Sequence, residues 1–75
     1  MYPNPVKDNL YFRAADSFTA NVEVYSASGK CVIKENVDIS PFSPGKIDMS
    51  ALSGGVYSIK LKSDKVEINS TIVKI

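Results

Sequence analysis

From Tyr57 to Lys62 the chain alternates without a fault. Tyr57, Ile59 and Leu61 are apolar, and Ser58, Lys60 and Lys62 between them are polar. A period of two is that of a strand with one face buried and the other in water. Directly in front stand Gly54 and Gly55, residues that supply backbone angles other residues avoid, so the segment predicts a tight turn with Leu52 folded back under the strand. The stretch Asp48–Lys62 is therefore the best-defined part of the chain, and the other elements are read around it.

Upstream, Tyr2-Pro3-Asn4-Pro5 is a rigid lead-in, because each proline fixes its own φ and pushes the preceding residue toward an extended shape. A first strand is predicted from about Val6 to Arg13, with Val6, Leu10 and Phe12 on one face and Asp8 interrupting it. A second runs from about Ala20 to Tyr25, with Val22 and Val24 inward. Ser26-Ala27-Ser28-Gly29 reads as a hairpin with Gly29 at positive φ, which makes a third strand, about Lys30 to Val37, antiparallel to the second. There Cys31, Ile33 and Val37 share a face, and Val32 is out of phase.

Ile39–Lys46 carries Pro41, Pro44 and Gly45, too many ladder breakers for a central strand, and reads as a crossing loop with room for one short edge strand. Ile47 and Met49 mark a brief strand before the glycine turn. After the polar turn Lys62-Ser63-Asp64-Lys65, a last strand covers about Val66 to Ile75. Its phase changes: Val66, Ile68 and Ile72 lie on one face, Val73 and Ile75 on the other. Either a bulge near Asn69-Ser70 or apolar residues on both sides would produce this. No helical period occurs anywhere. The fold expected is all-β, an antiparallel sandwich of about six or seven short strands.

Seventy-five residues make one domain with a single small core. An apolar fraction of 44% with 23% charged residues argues against a disordered chain. The net charge of +1 comes from lysines and arginine scattered among acids, so the basic stripe of a nucleic-acid binder is missing. No apolar run reaches the length of a membrane-spanning helix. Cys31 is the only cysteine, which rules out an internal disulfide; the expectation is a small buried hydrophobe on a strand. Met1 abuts the first turn, so the sequence reads as a piece of a longer protein.

The chemistry of the chain is sparse. There is no histidine, and with it go the commonest general base and the commonest metal ligand. Asp38, Asp48 and Asp64 each sit beside a turn signal, where aspartate bonds to nearby amides, so they are expected to build turns rather than an acid–base pair. Gly54-Gly55 lacks the Gly-Lys-Ser/Thr ending and following helix of a phosphate loop. Asn69-Ser70-Thr71 matches a glycosylation triplet but falls inside a strand. Tyr2, Tyr11, Tyr25 and Tyr57 offer rings on which a sugar stacks, although packing with the hydroxyl at the rim accounts for them as well. No enzyme, no metal and no cofactor is expected.

Taken together, Tyr2-Pro3-Asn4-Pro5-Val6, Val24-Tyr25-Ser26 with Gly29-Lys30, Ile47-Asp48-Met49-Ser50-Ala51-Leu52, Gly55-Val56-Tyr57 and Ile72-Val73-Lys74 resemble the type A C-terminal sorting domain of proteins exported by the type IX (Por) secretion system. The match runs in order along nearly the whole chain. It implies an immunoglobulin-like β-sandwich at the C-terminus of a secreted protein, in the periplasm during transit and then at the cell surface or outside the cell. It also implies partners: the outer-membrane translocon and its associated shuttle proteins engage the domain, and a surface sorting peptidase removes it.

By position, Pro3, Asn4 and Pro5 match the family's opening signature, and Leu52, Gly55 and Tyr57 its central one. Gly29 and Gly54 complete the structural set. Lys74 matches the basic residue close to the end, while Thr71 stands where members often carry a second basic residue. The recognition residues expected are Pro3, Asn4, Pro5, Ile72, Val73 and Lys74, with the final strand offered to a receptor by edge pairing or pocket insertion. The alternative is a carbohydrate-binding or adhesion sandwich using its tyrosines. Exposed edges and a rigid lead-in also leave room for a strand-swapped dimer.

Overall fold

The computed structural model describes residues 1–75 and contains six strands and no helix. They are β1 (Asn9–Phe12), β2 (Phe18–Ser26), β3 (Cys31–Ile39), β4 (Gly45–Asp48), β5 (Gly55–Lys62) and β6 (Glu67–Lys74). β1 and β4 form a two-stranded sheet, and the other four form a sheet in the order β3-β2-β5-β6. Every pair of strands is antiparallel. The result is the small all-β sandwich that the alternating pattern predicts.

The two sheets bury one shared core. Leu10 and Phe12 from β1 and Ile47 from β4 meet Ala20, Val22, Val24, Val37, Ile39, Tyr57, Ile59, Leu61 and Ile72 from the larger sheet, and Val6 and Met49, outside the strands, complete the cluster. Burying a side chain of this size stabilises by about 1.5–3 kcal/mol, which is how so short a chain offsets its ordering entropy. The predicted hairpin is present: Gly29 has φ of +89°, and its N–H donates to the Ser26 carbonyl at 2.9 Å.

Several expectations are corrected. The first strand is not continuous from Val6 to Arg13: β1 begins at Asn9, and Val6 makes a parallel bridge to Lys74 at the edge of the other sheet. The chain crosses between sheets at Lys7-Asp8, where the Asp8 carbonyl accepts the N–H of Met49 at 2.7 Å, so Asp8 interrupts the apolar pattern because it sits at a corner. Of the two readings of the phase change in the last strand, the second holds: the register of β6 with β5 runs unbroken from Glu67 to Lys74, and Val73 and Ile75 are apolar residues on the outer side.

A bulge does occur in β3. Val24 pairs with Ile33 and Tyr25 with Cys31, leaving Val32 as the extra residue, and this accounts for its odd phase. The slip turns Cys31 onto the outer face beside Tyr25, and Cys31 is exposed rather than buried. Of the paired glycines only Gly55 has positive φ.

Candidate functional site

The two termini meet. Tyr2 bridges Tyr11 at the edge of the smaller sheet, with the backbone N–H of each donating to the carbonyl of the other at 3.0 and 2.8 Å. Four residues later Val6 bridges Lys74 at the edge of the larger one: the Val6 N–H donates to the Val73 carbonyl at 2.8 Å, and the Ile75 N–H donates to the Val6 carbonyl at 2.9 Å. Pro3-Asn4-Pro5 is thus a strap across one side of the sandwich. Proline suits it because neither Pro3 nor Pro5 owes a ladder an N–H.

Asn4 completes the junction. Its Oδ1 accepts the Val73 N–H at 3.1 Å, so both backbone groups of Val73 are tied to the N-terminal segment. The predicted residues Pro3, Asn4, Pro5 and Val73 are therefore brought together in space, and all four are exposed. The other two are not offered to solvent. Ile72 is in the core, and Lys74 is only 7% exposed. Lys74 shares the inward phase of Ile72, and its Nζ donates to the backbone oxygen of Ile75 at 2.7 Å. The expectation of a displayed Lys74 is corrected on that ground.

In place of a displayed cation, this corner presents apolar surface. Val73 is 41% and Ile75 65% exposed, and Val56, directly opposite Val73 in β5, is half-exposed. Sequence reasoning missed Val56, although its register follows from the β5–β6 pairing. The signal was the out-of-phase run Val73, Ile75.

The central motif closes the turn that leads into β5. Asp48 Oδ1 accepts the Ser50 hydroxyl at 2.6 Å and the Ser50 N–H at 2.9 Å. The hydroxyl bond, then the amide bond, hold the Asp48 carboxyl below the usual carboxylate range, with Lys46 adding to them and partial desolvation opposing. The Leu52 N–H donates to the Met49 carbonyl, Leu52 packs on the core, and the hydroxyl of buried Tyr57 donates to the Ser53 carbonyl at 2.7 Å. Gly54 lies beside the Lys74 carbonyl, so this turn abuts the joined termini.

The remaining candidates are dispersed. Asp38 is on a strand, not a turn, and accepts the Thr19 hydroxyl across the sheet at 2.6 Å. The three aspartates do not form a cluster fit for a metal ion. The tyrosines do not share a face: Tyr2 and Tyr11 stack at 5.6 Å with Arg13 over the Tyr2 ring, Tyr25 lies on the outer side of β2, and Tyr57 is in the core.

The family model of the secretion system C-terminal sorting domain matches residues 1–75, the whole chain. The chain belongs to that family. No curated protein and no solved structure matches it. As a type IX secretion sorting domain it is a sorting signal from a family that is not one of enzymes, and membership implies dealings with the secretion machinery and export to the cell surface or the extracellular space.

Proposed function

We propose that this sorting domain carries an N-terminal cargo across the outer membrane, passing through the periplasm, and that the type IX translocon and its shuttle read the corner where the two termini join. The observation that carries the reading is the junction of Asn4 with Val73, which assembles the opening and closing signatures of the family into one surface. The surface is of the kind a receptor uses. Exposed prolines have little conformational freedom to lose, and Val56, Val73 and Ile75 give an apolar centre. A surface sorting peptidase then releases the domain.

A periplasmic reporter fused ahead of residues 1–75, in a host carrying the translocon, tests this. Val73→Asp and Ile75→Asp change exposed side chains and leave the core alone. The expected result is a reporter at the surface with the native domain and in the periplasm with the double variant, while circular dichroism of the purified domain is unchanged. Equal export of the two overturns the reading.

A further inference from the structure

The larger sheet has two edges, and they are built differently. The β3 edge is protected. A bulge at Val32 distorts it, and Glu35, opposite Val22, places a charge on the core-facing side, both features that discourage a second strand. Between Glu67 and Thr71 the β6 edge has neither: its register is unbroken, and its core-facing residues there, Ile68 and Ser70, are uncharged, the inward Lys74 lying further along at the joined termini.

The C-terminal end of the β6 edge is already used. The backbone groups of Val73 and Ile75 point outward to Asn4 and Val6. Backbone direction alternates along a strand, so the N–H and C=O of Glu67, Asn69 and Thr71 point outward too, and no strand lies beside them. Away from the joined termini the sandwich is also open. A cleft of about 380 Å³ has a mainly apolar lining that includes Phe12, Phe18, Leu61, Val66 and Ile68, with the charged Arg13, Asp16 and Lys65 also lining it. Ile68 has the inward phase yet remains 44% exposed, on the wall of this cleft.

We propose that the outer edge of β6 from Glu67 to Thr71 accepts an extended polypeptide strand from a partner protein, whose alternate apolar side chains enter the cleft beside Ile68. The occupant is a polypeptide because a row of alternating N–H and C=O groups at strand spacing is matched by another peptide backbone. The molecule itself supplies the precedent, since Val6 pairs with the same edge one turn of the ladder further on. The partner supplies an apolar side chain at every second position, since the cleft lies on one side of the added strand only. This surface lies beyond the joined termini and does not depend on the sorting reading.

The test uses the isotopically labelled domain and a capped hexapeptide of alternating threonine and valine, followed by NMR. On titration the Asn69 and Thr71 amides are expected to become protected from solvent exchange, with shifts at Ile68 and Ser70. Thr71→Pro removes an outward N–H at a position where an edge strand tolerates proline, and the binding constant is expected to fall about tenfold, the worth of one backbone hydrogen bond. Ile68→Lys, which replaces the apolar side chain on the β6 side of the cleft with a charged one, gives the same direction through a different atom and serves if the proline variant does not fold. The proposal is overturned if protection appears on β3 instead, if no binding occurs at millimolar peptide, or if folded variants bind as the native domain does. It is equally overturned if the domain pairs with a second copy across β6 and so excludes the peptide.

Discussion

The side-chain oxygen of Asn4 holds the backbone N–H of Val73 at 3.1 Å across a sequence separation of 69 residues. With the two bonds between Val6 and the last strand, it makes the N-terminal strap part of the larger sheet's edge. A residue that the sequence places in a rigid lead-in therefore acts as a clamp between the ends.

Removing that acceptor loosens the corner. Asn4→Ala is expected to lower unfolding stability by about 0.5–1 kcal/mol, the range for an exposed hydrogen bond. Asn4→Asp retains an acceptor and is expected to lose less. Urea denaturation of the three proteins, with a common slope, checks the order; identical midpoints would mean the bond contributes nothing.

Tyr57 separates packing from hydrogen bonding. Its ring is buried, and its hydroxyl donates to the Ser53 carbonyl at 2.7 Å. Tyr57→Phe keeps the ring and is expected to cost about 1 kcal/mol, a fall in Tm of about 4–8 °C for a domain of this size. Thermal unfolding followed by circular dichroism measures it.

Two glycines are needed for different reasons. At Gly29 an added Cβ meets nothing within 4 Å, but φ is +89°, so Gly29→Ala is expected to cost about 1–2 kcal/mol through the backbone alone. Gly45 has ordinary φ, but a Cβ there would lie 2.7 Å from side-chain carbons of both Val37 and Ile39. Gly45→Ala is expected to cost about 1–3 kcal/mol by overpacking. Val37→Ala removes one of the two carbons that crowd this Cβ, so combined with Gly45→Ala it is expected to cost less than the sum of the two single changes, whereas combined with Gly29→Ala the costs are expected to add, as a double-mutant comparison by denaturation would reveal.

The pH dependence around Asp48 has a definite sign. The carboxylate is held by Ser50, so its folded pKa lies below its unfolded one. A group of this kind contributes stability that is complete above the unfolded value and is lost as pH falls through the folded value. Ser50→Ala is expected to raise the Asp48 pKa and to shift the onset of acid unfolding to higher pH. Carboxyl NMR titration reads the first effect and acid unfolding the second; an unmoved Asp48 titration would contradict the assigned cause.

Where alternation was strict, local pattern and tertiary structure agree. β5 reads correctly from Tyr57, Ile59 and Leu61, and β2 from Val22 and Val24, because every second residue of a strand faces one way whatever lies beyond. The hairpin at Gly29 was legible for a similarly local reason. Cys31 was not, since one inserted residue, Val32, reverses the facing of everything past it, and only the pairing of β3 with β2 reveals which residue is extra.

The sequence by itself determined an all-β chain, the phases of β2 and β5, the hairpin at Gly29 and its family motifs, because these depend on neighbours a few residues apart. Tertiary structure alone decided that Val6 leaves the first strand for the edge beside Lys74, that Asn4 clasps Val73, and that Lys74 turns inward while Val73 and Ile75 face water. Those facts depend on which edges of two sheets approach each other, and contacts between chain ends leave no periodic trace in either end.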